Sequence, residues 1–237
     1  MTKVKIFESP LLQEATVSGI VIAPGENQKD MGAMDSFYKS RAVTPQQTHS
    51  VNVGIVESQT DIFPDTDALI TFSPHLPIGI RTADCVPILI YAPDVKGVAA
   101  VHAGWKGTLG GIIENTLDML EKYGASPSEI IVAFGPSISK EKYEVSQELA
   151  DLFIEKGFSE YVTYPNGKAN KPHLDLQGIN AERLLRRGVK KENIRLSADC
   201  TYSTVDCNGK YIYQSYRRDG VASGRNLTVI TLLRSDS

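Results

Sequence analysis

Short runs rich in Val and Ile crowd the first half of the chain, and most of them stop at a Pro, Gly or Asp. They fall at residues 4–7, 18–22, 51–56, 68–72, 78–82, 88–91 and 98–102. β-Branched side chains suit a pleated, buried surface, and turn residues end it, so each run predicts a strand. The mixture of these runs with later helices suggests α/β layers, with strands grouped more than in a simple βαβ alternation.

Helical spacing begins later. Ile112, Ile113, Thr116, Leu117, Met119 and Leu120 recur with a period near 3.6 and Gly124 follows as a stop, which predicts a helix over 108–123. Leu149, Leu152 and Phe153 share one face of a second predicted helix at 146–156, and a third at 176–187 ends at Gly188. Further strands are predicted at 129–134, 194–197, 210–216 and 227–232. The polar stretch YPNGKANKP at 164–172 reads as a surface loop. Without internal repeats or a linker, 237 residues describe a single catalytic domain, 1–237, of the α/β (α+β) class, with layered mixed sheets flanked by helices.

Charge and cysteine usage narrow the setting. A net charge of −3 supplies no general attraction to nucleic acid or to an anionic membrane. No run approaches the roughly 18 apolar residues of a membrane-spanning helix. MTKVKIFESPLLQEA lacks the apolar stretch and small-residue cleavage site of a secretory signal, so a cytoplasmic monomer or small homo-oligomer is expected. The three cysteines, Cys85, Cys200 and Cys207, make an odd count that suggests no disulfide framework. Cys200 and Cys207 are too far apart for a tight metal knuckle.

Polar residues stand where strands should end: Gln47-Thr48-His49-Ser50, Thr82-Ala83-Asp84-Cys85 and His102-Ala103-Gly104-Trp105. A catalytic zinc takes imidazole and thiolate from three residues and keeps its fourth position for water or substrate. His49, Cys85 and His102 meet that count. Spacing alone leaves a second reading open, in which the histidines are strand-end residues and Cys85 is a buried thiol. Asp84 puts an acid where an apolar strand end would be ordinary, and Gly104 lets the backbone turn closely after His102.

TADCVPILIY followed by GVAAVHAGWKGTLGGII resembles the YfiH-type family, formerly labelled multicopper polyphenol oxidoreductases or laccases. QTHS, GPSI with the later YEV, LDL, CTYS and SYRRDGVASGR agree with it, so the resemblance spans about residues 43–233. It implies that His49, Cys85 and His102 are zinc ligands, one ion per chain. It also implies a purine nucleoside phosphorylase acting on adenosine, inosine, guanosine and methylthioadenosine, with phosphate as co-substrate, and an accompanying adenosine deaminase activity. One departure stands out. Where the family carries an arginine- and glycine-rich segment near the N-terminus, this chain reads ATVSGIVIAPGENQKD, without arginine.

These reactions assign further roles. Deamination needs a water made nucleophilic near neutral pH, and zinc lowers the pKa of a bound water from about 15.7 to about 7. Asp84 is the candidate proton shuttle; its alternative role is to orient the turn. Phosphorolysis needs a grip on phosphate, which the planar guanidinium fork provides. Arg217, Arg218 and Arg225 are the candidates, and strand alternation would turn Arg217 and Arg218 to opposite faces. Gln47 lies two residues from His49 and is a candidate substrate contact. Lys106 reads as a surface lysine and Trp105 as a packing residue. His75 and His173 read as surface residues in Pro-flanked loops, and Cys200 as structural.

Three rival functions bear on the same residues. A copper-dependent polyphenol oxidoreductase of the multicopper kind requires a histidine-rich set of copper sites that four histidines cannot build. A single blue-type copper would move electrons only. A metal-free thiol hydrolase would use Cys85 as nucleophile and His102 as base. A non-catalytic binding module is the last reading.

Overall fold

The computed structural model describes residues 5–6, 17–22, 41–165 and 171–232. Its centre is a six-stranded mixed sheet in the order β11-β8-β6-β7-β4-β3. These strands are β3 (Val53–Ile55), β4 (Ala68–Thr71), β6 (Val86–Ala92), β7 (Gly97–Ala103), β8 (Ile131–Phe134) and β11 (Ile194–Arg195). A four-stranded antiparallel sheet follows the order β1-β2-β12-β5, built from β1 (Lys5–Ile6), β2 (Val17–Ile22), β5 (Ile78–Thr82) and β12 (Asn226–Leu232). A short ribbon pairs β9 (Val162–Thr163) with β10 (His173–Leu174).

Strand alternation decides which layer each side chain joins. Ala68, Ile70, Ile88, Ile90, Ala99 and Val101 face the helices, where they meet Ile112, Ile113, Leu117, Leu120, Ile179 and Leu184. Leu69, Leu89, Tyr91, Val98 and Ala100 face the other way, onto Ile78, Ile80, Ile230 and Leu232 of the four-stranded sheet. β6 and β7 are therefore buried on both faces, every residue of each, and so read as unbroken apolar runs. The expected layering of mixed sheets and helices is the architecture observed.

The predicted helix at 108–123 is two helices, α1 (Trp105–Gly110) and α2 (Ile112–Lys122). Gly111 separates them with φ 93°, a left-handed conformation that only glycine adopts without strain. Its N–H still closes α1 on the Gly107 carbonyl, while its own carbonyl accepts from Asn115 to open α2. An alanine Cβ here would meet nothing nearer than Glu114 Oε2 at 3.4 Å. The cost of Gly111→Ala is then a backbone cost of about 1–2 kcal/mol. A urea titration should show a lower midpoint at an unchanged slope.

The second and third helices are α3 (Gln147–Glu155), capped by the Ser146 hydroxyl, and α4 (Leu176–Arg186), capped by the Asp175 carboxylate. Gly188 follows α4 in the left-handed region, as a helix stop does. One strand is corrected. Residues 210–216 form no strand, only an isolated bridge between Val205 and Tyr211. The Asn226 side chain explains this, because its Oδ1 accepts from Gln214 N and its Nδ2 donates to Gln214 O. A side-chain amide thus supplies the hydrogen bonds a neighbouring strand would have made. The chain then turns into α5 (Tyr216–Asp219), capped by Ser215. His173 lies on β10 and not in a loop, with Nδ1 against the Lys140 carbonyl, whereas His75 is exposed.

Among the described residues no helix is long and apolar enough to cross a membrane. Of the predicted loop at 164–172, residues 166–170 lie outside the described residues. So does most of the arginine-free N-terminal segment.

Candidate metal centre

Three neighbouring backbone ends bring the polar landmarks together. His102 is the penultimate residue of β7, and Cys85 immediately precedes β6. The antiparallel register pairs Val86 with Ala103, which places Cys85 beside the β7 end. His49 arrives on the loop ahead of β3, with φ 65°. The His49 and His102 rings meet edge to face at 4.9 Å, and Cys85 Sγ lies 3.7 Å from His49 Nε2. One ligand atom from each of the three falls within 4.8 Å of the others.

Gly104 makes this approach feasible. Its φ is −75°, which any residue adopts, so the turn itself does not demand glycine. A Cβ there would stand 2.7 Å from His49 Cδ2 and 3.0 Å from Cys85 Sγ. Glycine is needed because side chains crowd against the backbone, a different reason from the one the sequence suggested.

Beneath the triad lies Asp67, which is fully buried. Its carboxylate accepts from the backbone N–H groups of Thr48, His49 and Ser50, from the Ser50 hydroxyl, and from His102 Nδ1 at 2.6 Å. Burial pushes its pKa up, but the His102 bond and the N–H groups of Thr48 and Ser50 outweigh it and hold the group at about 2. Burial also opposes charge on His102, which Asp67 and Cys85 nevertheless raise to about 9. Cys85 follows the same logic. Burial raises its thiol, the two histidines lower it further, and it settles at about 6, so the thiolate is favoured.

The donors fit a zinc ion. They are two imidazoles and a low-pKa thiol, gathered where Gly104 leaves space, and one histidine donates its second ring nitrogen to a carboxylate as zinc-bound histidines do. Sequence reasoning missed Asp67. Its one signal was an acid at the head of an apolar strand, TDALIT, and that signal gains meaning only once Asp67 is seen opposite His102.

A cleft of about 600 Å³ opens over the triad, walled by Gln47, Arg81, Asp84, Trp105, Ile138, Tyr143, Tyr216, Arg217 and Arg225 among others. Asp84 is buried at φ 88°, in the left-handed region. Its Oδ1 accepts from the Thr201 hydroxyl and its Oδ2 from Arg217 N. The Gln47 amide is engaged at both ends by the Arg81 backbone.

Arg217 stacks on Tyr143 with its guanidinium carbon 5.3 Å from the ring centre. Arg225 bonds the carbonyls of Ser223 and Gly224. Arg218 is not among the lining residues. It forks onto the carbonyls of Thr201, Tyr202 and Tyr213, pairs with Asp219 and lies over Tyr211. Helical rotation in α5, not strand alternation, separates it from Arg217.

Lys106 is exposed and sits over the Trp105 ring, while Trp105 faces the cleft as well as the core. Cys200 is buried, and its sulfur accepts from Ser139 N. Arg81 and Tyr143 were not singled out from sequence. Arg81 is the one charged position of β5 and faces outward from it.

The family described as multi-copper polyphenol oxidoreductase laccase matches residues 23–233. A purine nucleoside phosphorylase of Deinococcus radiodurans is 36% identical over 211 residues, covering 89% of this chain and 78% of that protein. The adenosine deaminase RL5 of an unknown prokaryotic organism is 34% identical over 198 residues, covering 79% of this chain and 74% of that protein. Among solved structures, the hypothetical protein YfiH of Bacillus licheniformis superimposes with a TM-score of 0.81 at 24% identity. That alignment covers 98% of this chain and 97% of the other, and it speaks for the fold alone.

Proposed function

This chain belongs to the multi-copper polyphenol oxidoreductase laccase family, and within it we propose that the chain is a zinc-dependent purine nucleoside phosphorylase with adenosine deaminase activity. The observation that carries the reading is that His49, Cys85 and His102 open onto the same cleft as Arg217 and Arg225. His49, Cys85 and His102 hold the ion. When bound there, zinc supplies Lewis acidity and makes a water nucleophilic near neutral pH.

The chain's own residues supply the rest. In phosphorolysis a phosphate oxygen bonds to the anomeric carbon as the bond to the purine nitrogen breaks, and the departing base takes up a proton. Arg217 and Arg225 offer guanidinium donors to the phosphate. Trp105, Ile138 and Tyr143 give the purine an apolar, partly aromatic wall. In deamination a water oxygen replaces the exocyclic amine, which leaves as ammonia. Asp84, which lines the cleft and accepts from Thr201 and Arg217 N, is the group that takes up the transferred proton. Gln47 fixes the cleft rim through the Arg81 backbone.

Incubating the zinc-loaded protein with adenosine, with and without phosphate, tests the proposal. Adenine and ribose 1-phosphate should form only with phosphate, and inosine should form in its absence. If neither free base nor inosine appears, the reading is wrong.

The thiol-hydrolase reading draws on one observation, the closeness of the Cys85 sulfur to the histidines, 3.7 Å from His49 Nε2. Chelation separates the two. Activity that survives complete zinc removal belongs to the thiol mechanism. Activity lost with zinc and restored by it belongs to the proposal. Four histidines in the whole chain count against a multicopper oxidase.

A further inference from the structure

We propose that Asp67 is the positioning residue that presets the metal centre, by fixing His102 in one tautomer and pinning the loop that carries His49. The inference rests on reading the triad as a metal site.

The geometry makes two connections through one side chain. β4 and β7 run antiparallel with Ala68 opposite Val101, so Asp67 stands opposite His102 across the ladder. Their backbones are joined, since His102 N donates to Asp67 O at 2.8 Å. Their side chains are joined again, with His102 Nδ1 2.6 Å from Asp67 Oδ1. An anionic carboxylate accepts only, so Nδ1 carries the hydrogen. Nε2 is then the nitrogen that would serve as the ligand atom. A carboxylate in this position also fixes the ring plane and strengthens the ligand.

The same carboxylate accepts from three consecutive backbone N–H groups, at Thr48, His49 and Ser50, with distances of 3.1, 3.1 and 2.7 Å. These bonds matter because His49 sits at φ 65°, a left-handed conformation that a non-glycine residue holds only when its surroundings fix it. Loop and strand end are thus referred to one buried point. Two of the three ligands are thus tied to one carboxylate, and the third, Cys85, immediately precedes β6 in the β6–β7 ladder.

Asp67→Asn tests this, because it keeps size and one acceptor oxygen while placing an amide donor against groups that already donate. Zn²⁺ alone is titrated against a chromogenic chelator into metal-free wild type, Asp67→Asn and, as a stability control, Phe153→Ala. Asp67→Asn should bind zinc about 10–100-fold more weakly, the range seen when such a carboxylate is removed. Phe153→Ala, although less stable, should keep wild-type affinity.

Nitrogen-15 shifts of the His102 ring in zinc-loaded wild type should report hydrogen on Nδ1 and metal on Nε2. They keep the proposal exposed to refutation even if Asp67→Asn fails to fold. Wild-type zinc affinity in Asp67→Asn, or metal on Nδ1 in the wild type, overturns the role of Asp67 and leaves the metal site standing. Absence of zinc binding by the wild type overturns both.

Discussion

Replacing Cys85 by alanine is expected to remove zinc and activity together. The substitution deletes one of the three donors gathered among the described residues, and the two that remain are imidazoles on separate segments, one on a loop and one on a strand end. A catalytic zinc takes three protein ligands, and two imidazoles alone fall short of that count. Zinc in the purified variant should fall from near one equivalent to near none by elemental analysis.

Metal polarisation of developing charge is worth several kcal/mol. At 1.4 kcal/mol per tenfold in rate, kcat/KM should drop on the order of a thousandfold for adenosine. Stoichiometric zinc retained in Cys85→Ala would refute the ligand assignment. Activity that survives complete removal of zinc from the wild type would instead point to Cys85 as a nucleophile.

Phe153→Ala is expected to produce the largest loss of stability at a distance from the cleft. Phe153 is fully buried on α3, within the helix-side core, and meets Phe158 edge to face at a centroid distance of 6.5 Å. Truncating a buried Phe costs about 3–5 kcal/mol, from lost transfer energy and the cavity left behind. In a domain of this size each kcal/mol shifts the melting temperature by roughly 2–4 °C, so a fall of about 10 °C is expected by calorimetry. Because Phe153 lines neither the cleft nor the triad, kcat/KM measured well below the melting transition should stay within about twofold of wild type. A large loss of kcat/KM at unchanged melting temperature would show that α3 shapes the cleft.

The two variants separate what the chain needs in order to fold from what it needs in order to act, and the sequence was not equally legible on both. Ile88, Ile90, Val98 and Val101 announced buried strands because burial is written locally, as a run of apolar β-branched residues. The same holds for α4, where Asp175 caps one end and Gly188 stops the other.

Residues 210–216 misled because the local pattern suits a strand, while the Asn226 amide, reached only in the folded chain, takes its hydrogen bonds. Gly111 misled differently. The apolar period continues through it, yet its φ 93° breaks one helix into two.

For the site, the sequence by itself determined the candidates. His49, Cys85 and His102 came from chemistry that few residue types provide, set within blocks that carry a family resemblance. Only the tertiary structure decided that they meet, that Gly104 is small because His49 and Cys85 press on it, that Arg217 faces the cleft while Arg218 does not, and that Asp67 lies behind two of the ligands. The physical reason is the same in each case. Ligand identity is a property of single side chains, whereas convergence depends on strand register and on buried hydrogen bonds between residues far apart in the chain. Asp67 and His102 are separated by 35 positions in sequence and by 2.6 Å in space.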